Sequence, residues 1–194
     1  MIIIGLTGSI GMGKSATSQH FRGLGVAVHD SDAAVHRLYS GHAAAQVEAR
    51  FPGSARDGAV DRVLLAARVL GDTVAIRDLE AIIHPLVAAD RDAFTVAARQ
   101  KSARCVVLDI PLLFETGAEA MVDVIAVASA PFSVQSQRVL ARPGMTAEKF
   151  RQIVLRQLPD AEKRRRAHVV IATNRSLADA ARQVEGLLRA LAAA

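Results

Sequence analysis

Residues 8–15 have the sequence Gly-Ser-Ile-Gly-Met-Gly-Lys-Ser, which matches G-x-x-x-x-G-K-[S/T], the phosphate-binding loop or P-loop. Glycines in such a loop let the backbone curl so that its N–H groups point at an anion. Lys14 is expected to bridge the β- and γ-phosphates of a nucleoside triphosphate, and Ser15 to hold Mg²⁺. The apolar run Ile2–Leu6 precedes the loop and a helical pattern follows it, which is the context that this motif requires.

Further apolar runs alternate with helical patterns along the chain. They are rich in Val and Ile, as in strands buried in a parallel sheet. The alternation predicts an α/β fold with right-handed crossovers, specifically a P-loop nucleoside-triphosphate hydrolase fold with a five-stranded parallel sheet flanked by helices. The predicted strands are Ile2–Leu6, Val26–His29, Arg104–Asp109, Val122–Ala128 and His168–Ala172. The predicted helices are Lys14–Arg22, Asp32–Tyr39, Ala43–Arg50, Arg62–Leu70, Val74–Ile83, Pro85–Gln100, Ser133–Ala141, Ala147–Leu155 and Leu177–Leu191.

Two connections between the predicted strands are unusually long and mostly helical. About 75 residues separate the second strand from the third, and about 40 separate the fourth from the fifth. Long excursions from the strand ends of an open α/β sheet usually build the ligand site. We therefore expect one domain, 1–194, with a core of 1–42, 102–137 and 167–194, a helical substrate-binding insertion at 43–101 and a helical lid at 138–166.

The composition excludes several classes of protein. Hydrophobic residues make up 51% of the 194 residues and charged residues 22%, unlike a disordered chain. No apolar run approaches the ~20 residues of a membrane span, and the apolar start lacks the basic leader of a secretion signal. The single cysteine, Cys105, excludes an intrachain disulfide framework, and in its apolar run we expect a buried structural thiol. These features predict a cytoplasmic protein.

Positive charge is concentrated in the last third of the chain. Residues 138–194 carry 12 basic and 5 acidic side chains, whereas residues 1–137 carry 12 and 14. Such a region can meet an anionic ligand, or it can reflect a coding bias toward arginine. Aromatic residues are 4% of the chain and Trp is absent, so platforms for base stacking are scarce. We expect a monomer that binds neither nucleic acid nor a membrane.

Two carboxylates follow the second predicted strand, in the sequence His29-Asp30-Ser31-Asp32. The end of that strand is expected to open beside the P-loop, where a carboxylate can accept the proton of an attacking hydroxyl, orient it or help hold Mg²⁺. Either Asp30 or Ser31 is expected to cap the next helix, which leaves the chemistry to Asp32. His29 and His36 match no zinc spacing, so we expect solvated or capping side chains.

Asp109 ends an apolar strand, at the position where P-loop proteins carry a carboxylate that acts on Mg²⁺ or its water. Asp109 and Ser15 are therefore the predicted metal site. The segment Pro111–Glu115 follows directly. Its apolar residues fit two interpretations, a loop that grips a substrate and ordinary core packing, and both stay open.

Arginines are frequent in the second long connection, at positions 138, 142, 151 and 156. Phosphoryl transfer needs positive charge on the transferred group, and a closing helical lid can supply it. Arg142 is well placed for this because the turn Pro143-Gly144 follows it. The basic run Lys163–Arg166 is expected to be a solvated helix face.

The class of P-loop protein can be narrowed further. The guanine motif N/T-K-x-D is missing, since the nearest string, Thr173–Ser176, lacks both the Lys and the Asp. Motor, AAA and RecA-type ATPases are larger and need a catalytic Glu after the metal-binding strand. The residues themselves predict Mg²⁺-dependent phosphoryl transfer from ATP to a small hydroxyl or phosphate acceptor. A nucleoside monophosphate kinase and a non-catalytic module that senses ATP or binds RNA are the alternatives.

Several segments, in this order, resemble the dephospho-CoA kinase family. Members of that family use ATP to phosphorylate the ribose 3′-hydroxyl of dephospho-CoA, the last step of coenzyme A synthesis. The segments are IGLTGSIGMGKS at 4–15, LGVAVHDSDA at 24–33, IHPL at 83–86 and DIPLLFE at 109–115. The likeness continues through Gln135–Arg142 and Val170–Asn174, and so covers nearly the whole chain.

The resemblance implies ATP and Mg²⁺ as cofactors, dephospho-CoA as substrate, and a role for each matching residue. It implies that Lys14, Asp32 and Arg142 are catalytic. The implied ATP-binding residues are Gly8, Ile10, Gly11, Met12, Gly13, Lys14, Ser15, Ala16 and Asn174. The implied acceptor-binding residues are Asp30, Asp32, His84, Pro85, Leu113, Phe114 and Glu115.

The chain departs from the family pattern at four places. Ser9 stands where Gly is common, Ala16 where Thr is common, and Asn174 lacks the usual following Gly. Met12 replaces a small residue beside the phosphate path, although its side chain can point outward. None of these changes affects the implied catalytic residues.

Overall fold

The computed structural model describes residues 1–193, and its strands form a central sheet and a small hairpin. In chain order the strands are β1 (Ile2–Thr7), β2 (Ala27–Asp30), β3 (Ala55–Arg56), β4 (Ala59–Val60), β5 (Cys105–Asp109), β6 (Val124–Ser129) and β7 (Val169–Ala172). Five of them make one sheet in the order β2-β5-β1-β6-β7. β1 pairs in parallel with β5 and β6, and β6 pairs in parallel with β7. The predicted five-stranded α/β fold is confirmed.

Helices follow most of these strands, as an α/β fold requires. They are α1 (Lys14–Gly23), α2 (Ser31–Tyr39), α3 (Ala44–Arg50), α4 (Arg62–Val69), α5 (Thr73–Gln100), α6 (Phe132–Leu140), α7 (Ala147–Leu155), α8 (Asp160–Arg166) and α9 (Leu177–Ala193). A 3₁₀ turn covers Ala118–Met121. Among the helices in residues 1–193, none has both the length and the apolarity to cross a membrane.

The core beneath the sheet explains why the strands have continuous apolar sequences. Ile4 and Leu6 of β1 have no exposed surface. The last helix packs its buried side chains into the same cluster, at spacings of four and three residues that place them on one helix face. Those side chains are Ala180, Val184 and Leu187. Cys105 is half-buried, and burial raises the pKa of its thiol, which agrees with a structural role.

The chain forms two compact units. The first unit comprises residues 1–29 and 98–194, and the second unit comprises residues 30–97. The first contains the sheet strands and the P-loop. The second has a hydrophobic core of its own, which includes Leu38, Val47 and Leu65. The division into core, insertion and lid that we expect from the sequence stays a prediction.

Two local expectations are wrong. The pattern predicted a helix end between Ile83 and Pro85, but α5 is continuous and contains Pro85. A proline inside a helix costs about 3 kcal/mol, which burial of side chains such as Ile83 can offset. The β3–β4 hairpin was not predicted, although its Asp57-Gly58 turn has positive φ angles of 49° and 76°, as two-residue hairpin turns require.

Candidate active site

The P-loop joins β1 to α1. Two of its glycines combine a left-handed backbone conformation with a lack of space for a Cβ atom. Gly11 and Gly13 have φ angles of 76° and 86°, in the left-handed region that other residues seldom adopt. A Cβ at Gly11 would lie 2.5 Å from Val139 Cγ2, and one at Gly13 would lie 2.8 Å from Thr173 Oγ1. The loop leads straight into α1, whose first N–H groups have no side-chain cap. This arrangement is suited to an anion.

Two glutamine side chains hold the peptide groups of Ile10. The Ile10 N–H donates to Gln157 Oε1 at 3.0 Å, and the Ile10 carbonyl accepts from Gln135 Nε2 at 2.8 Å. Gln135 is buried on α6, and Gln157 follows α7. The Met12 N–H donates to the Ser9 carbonyl at 3.0 Å, so this part of the loop is held by the protein itself. The N–H groups of Gly13, Lys14 and Ser15, where the loop enters α1, lie in the position that receives phosphate in a P-loop.

Lys14 and Asp109 form an ion pair at the end of the two central strands. Lys14 Nζ lies 2.5 Å from Asp109 Oδ1, and the Asp109 side chain is only 2% exposed. β5 and β1 are hydrogen-bonded neighbours, and their pairing brings Leu6 opposite Asp109. The strand-end carboxylate therefore lies at the P-loop lysine, as the sequence predicts for two halves of one phosphate site.

The residues present fit a Mg²⁺ ion bound mainly by phosphate and water. Ser15 and Asp109 offer oxygen atoms, the donor type that Mg²⁺ prefers. Ser15 is exposed in the first turn of α1. Within residues 1–193, no three His, Cys, Asp or Glu side chains cluster as a metal cage. A sparse protein contribution is usual for Mg²⁺ in phosphoryl-transfer sites.

Arg138 is the P-loop arginine that sequence reasoning did not select. Its guanidinium donates to the Thr173 Oγ1 at 3.1 Å, to the Thr173 carbonyl at 2.6 Å and, at 3.4 Å, to the Gly11 carbonyl. The Thr173 hydroxyl in turn donates to the Met12 carbonyl at 2.8 Å. Arg142, the predicted lid arginine, is exposed one turn later. No spacing rule separates the two, since only the fold shows which of them faces the loop.

A cavity of about 600 Å³ lies beside the P-loop in the first unit. Met12 is 3% exposed, and its Sδ accepts a hydrogen bond from the Ala130 N–H at 3.2 Å. The Met12 side chain does not take the outward orientation that was open to it, because it packs inward beside the end of β6. Asn174 also lines the cavity, as do Phe132, Leu158, Pro159 and Arg164.

The segment after β5 is packed into the protein. Leu113 is fully buried and Phe114 is 7% exposed, in a cluster with Ile125 and Val127. For Leu113 and Phe114 this is the core-packing alternative of the two that the sequence left open, whereas Leu112 of the same segment is 41% exposed. Direct contact of Leu113 and Phe114 with an acceptor stays a prediction.

Glu115 anchors the start of α8. Its Oε1 accepts from the Leu158 N–H at 2.8 Å and lies 2.8 Å from Nζ of Lys163, whose side chain has no exposed surface. Burial raises the pKa of Glu115, but the Lys163 and Leu158 hydrogen bonds outweigh burial and leave it lowered. The expectation of a solvated face at 163–166 is wrong for Lys163, because this ion pair takes its ammonium inward. Arg166 also contacts the protein, since its guanidinium lies 4.4 Å from the centre of the Phe114 ring.

In the second unit, the two predicted carboxylates have different surroundings. Asp30 caps α2, since its Oδ1 accepts from the Ala33 N–H at 3.0 Å, and this confirms one capping residue of the predicted pair. Asp32 is exposed in the first turn of α2 and lines a second cavity of about 600 Å³. His84 and Pro85 are exposed on α5.

The two histidines near these carboxylates differ as well. His29 is 4% exposed in β2, so the expectation of a solvated or capping side chain is wrong for it. His29 is the third of the four residues of β2, so it lies within the strand and not at the start of α2. His36 is exposed, and its Nε2 lies 2.9 Å from Nη1 of Arg62.

Comparison with known proteins gives one consistent result. The family model described as dephospho-CoA kinase matches residues 2–179. The dephospho-CoA kinase of Mesorhizobium japonicum is 58% identical over 97% of this chain and 95% of its own length. That of Brucella abortus is 52% identical, over 98% and 96% respectively. A crystal structure from Thermus thermophilus superposes with a TM-score of 0.83 at 35% identity, covering 98% of this chain and 97% of that one.

Proposed function

The chain belongs to the dephospho-CoA kinase family, and from this membership we propose how its own residues carry out the reaction. The enzyme phosphorylates dephospho-CoA with ATP in coenzyme A biosynthesis. The observation that carries our assignment of the site is the Lys14–Asp109 ion pair at the P-loop. It joins the two residues that a P-loop kinase needs beside the β- and γ-phosphates.

ATP binds along the P-loop of the first unit in this proposal. The N–H groups of Gly13, Lys14 and Ser15 receive the phosphates, and the Lys14 ammonium exchanges Asp109 for the γ-phosphoryl oxygens. The neighbouring cavity, lined by Met12, Phe132 and Asn174, takes the adenosine part. Its volume of about 600 Å³ lies within the range of about 300–1,000 Å³ common for small-molecule sites.

Ser15 and Asp109 would hold Mg²⁺, whose charge when bound helps neutralise the phosphate oxygens. Because the Asp109 side chain is buried, its carboxylate stays directed at Lys14. The pair would therefore fix where the Lys14 ammonium and a bound Mg²⁺ ion act. Arg138 is a positioning residue in this scheme, since its hydrogen bonds fix Thr173 and Gly11 against each other.

Asp32 is the proposed base. Its exposed carboxylate accepts the proton of the ribose 3′-hydroxyl as that oxygen forms a bond to the γ-phosphorus. The bond between the γ-phosphorus and the oxygen that bridges it to ADP breaks at the same step, and ADP leaves with that electron pair. Arg142, exposed on the turn after α6, brings its charge to the phosphoryl group in transfer.

The proposed acceptor residues fall into two groups. His84 and Pro85 expose their side chains and are direct contacts in the proposal. The other four already have protein partners, and their proposed contribution is to hold the surrounding backbone in place. These four are Asp30, Leu113, Phe114 and Glu115.

We also propose that the enzyme works as a monomer in the cytoplasm and needs neither nucleic acid nor a membrane. The apolar fraction of the chain and its single cysteine support this assignment. Light scattering after gel filtration tests the monomer, because a dimer would double the mass of 20.6 kDa.

An ADP-release assay tests the acceptor. ATP and Mg²⁺ are supplied with dephospho-CoA, AMP, dTMP or adenosine, and the product with dephospho-CoA is identified by mass. We expect efficient turnover with dephospho-CoA and coenzyme A as product. Preference for AMP or dTMP would favour a nucleoside monophosphate kinase, and ATP binding without turnover would favour a sensing module.

Single variants test the assigned roles in the same assay. Lys14→Ala and Arg142→Ala should each cost about 2–4 kcal/mol of transition-state stabilisation, as for other electrostatic groups at transferred charge. Lys101→Ala is the matched control, since Lys101 is exposed at the end of α5. Turnover like that of the wild type in either site variant would contradict its assignment.

A further inference from the structure

The second cavity is lined by polar and charged side chains that the proposed mechanism does not use. It lies within the second unit, between one face of α2 and one face of α4. The lining positions on each helix recur at spacings of three and four residues, which places them on a single face. From α2 they include Asp32, His36 and Tyr39, and from α4 they include Arg62, Leu65 and Val69.

Arg62 places a positive charge on this cavity without an acidic partner. Among residues 1–193, no carboxylate lies within ion-pair distance of its guanidinium. Its hydrogen-bond partner is His36, with Nη1 2.9 Å from Nε2. A guanidinium can only donate, so His36 Nε2 is the acceptor in this contact.

Leu65 and Val69 form an apolar part of the wall, beside the polar side chains of Asp32 and Tyr39. Leu65 is 3% exposed and Val69 is 8% exposed. Burial raises the pKa of the Tyr39 hydroxyl, and the nearby Arg62 charge opposes that shift. Arg62 itself is exposed, so its guanidinium is accessible to an anion that enters the cavity.

We infer that this cavity binds the diphosphate of dephospho-CoA on Arg62, and that His36 is the positioning residue that holds the guanidinium in place. The inference rests on the proposed function, because it takes Asp32 as the residue that meets the acceptor's 3′-hydroxyl. That hydroxyl and the 5′-diphosphate are carried by the same ribose ring. If Asp32 meets the 3′-hydroxyl, the diphosphate on the same ribose therefore lies close enough to contact other side chains of this cavity.

The planar fork of arginine matches phosphate oxygens in a way that the lysine ammonium does not. The contact with His36 uses one of the five N–H donors of a guanidinium, and the planar group has further N–H donors for those oxygens. The predicted ligand chemistry is therefore a diphosphate ester next to a ribose hydroxyl.

The test compares acceptors that have and lack the diphosphate. Adenosine carries the same 3′-hydroxyl and no phosphate. Arg62→Ala should lower kcat/KM for dephospho-CoA roughly tenfold to hundredfold, mainly through KM, as for a lost charge-assisted hydrogen bond. With adenosine the same variant should change kcat/KM by less than about twofold, since no phosphate contact is lost. Where adenosine turnover is below detection, its inhibition constant against dephospho-CoA gives the same comparison.

Arg77→Ala is the matched control for loss of one positive charge. Arg77 is exposed on α5 of the same unit, does not line the cavity and donates to the Thr73 carbonyl. It should leave both acceptors unchanged. Arg62→Lys keeps the charge but lacks the fork, so we expect an intermediate KM, and thermal unfolding checks that each variant is folded.

His36 is tested through its dependence on Arg62. His36→Ala should raise KM for dephospho-CoA by a smaller factor, and His36→Gln, which restores an acceptor, should recover part of it. In an Arg62→Ala background, His36→Ala should have no further effect, because contacting residues are not additive. An independent effect would refute the positioning role.

The outcomes separate this inference from the proposed function. Wild-type enzyme that fails to phosphorylate dephospho-CoA would refute the proposed function. Normal wild-type turnover with an Arg62→Ala loss that is absent, that is equal for both acceptors, or that falls on the KM of ATP would refute the inference alone.

Discussion

The two units build their cavities in opposite ways. In the first unit, the polar groups around the P-loop are partnered by the protein before any ligand arrives: Lys14 with Asp109, and Ile10 with two glutamines. In the second unit, Asp32 and Arg62 are exposed, and the Arg62 guanidinium has His36 as its hydrogen-bond partner. The first unit holds a preorganised cradle, whereas the second presents exposed side chains on helix faces.

The difference teaches where each substrate's binding free energy comes from. A preorganised cradle loses little conformational entropy when ATP binds. Substitutions in the cradle should therefore lower the stability of the protein and its affinity for ATP together. Exposed side chains on helix faces contribute little to folding. Substitutions there should change acceptor kinetics while the free energy of unfolding stays the same. The predictions below test that contrast.

Asp32→Asn should give the largest effect. Removing a general base costs roughly 10²- to 10⁴-fold in kcat, and the exposed position should leave thermal unfolding unchanged. The measurements are kcat with dephospho-CoA and the melting temperature. Asp57→Asn is the control, since Asp57 lies exposed in the hairpin turn at a φ of 49°, which asparagine tolerates. A variant with full kcat would leave Asp32 without a role in proton transfer.

Glu115→Gln should show the reverse behaviour in the first unit. It leaves the Lys163 ammonium buried without its partner, a change that typically costs about 3–5 kcal/mol of stability. The pKa of Glu115 is lowered by folding, so its stabilisation is present at neutral pH and is lost as the pH falls through that lowered value.

Denaturant unfolding at neutral and at acidic pH measures this directly. The gap between wild type and Glu115→Gln should narrow on acidification. Lys163→Met, which removes the buried charge itself, should cost less than Glu115→Gln. If instead Glu115→Gln keeps full stability and raises KM for dephospho-CoA, Glu115 contacts the acceptor and the contrast between the units fails.

The same contrast explains what the sequence could predict. The P-loop was predictable because its geometry depends on glycines and a lysine that are adjacent in the chain. The Asp109 carboxylate was predictable because parallel strands end at one edge of a sheet. Arg138, Gln157 and the Arg62–His36 pair were not selected, because each depends on side chains brought together by tertiary packing. The burial of Lys163 was missed for the same reason, since a lysine in a run of basic residues looks like a surface residue.

Gly11→Ala tests how far the cradle depends on backbone shape. The new Cβ would lie 2.5 Å from Val139 Cγ2 at a φ of 76°, so packing and conformation both oppose it. Gly25→Ala is the control, with a φ of 78° and nothing within 4 Å of its Cβ. Both variants bear the left-handed cost of about 1–2 kcal/mol, but the clash is expected in Gly11→Ala alone. Calorimetric titration with ATP should show a loss of affinity for that variant alone, and equal affinities would mean that the loop tolerates a side chain.

Gln157→Leu should give the smallest effect and the sharpest test of preorganisation. It removes the acceptor of the Ile10 N–H, and a neutral hydrogen bond contributes about 0.5–1.5 kcal/mol. We expect KM for ATP to rise by about twofold to tenfold, the same free energy expressed as a ratio, with KM for dephospho-CoA unchanged. Gln152→Leu is the matched control, because Gln152 is exposed on α7 and donates only to Glu148 among the described residues. Equal behaviour of the two variants would mean that the Ile10 N–H finds water just as well, and that the cradle is set by its glycines without help from the segment after α7.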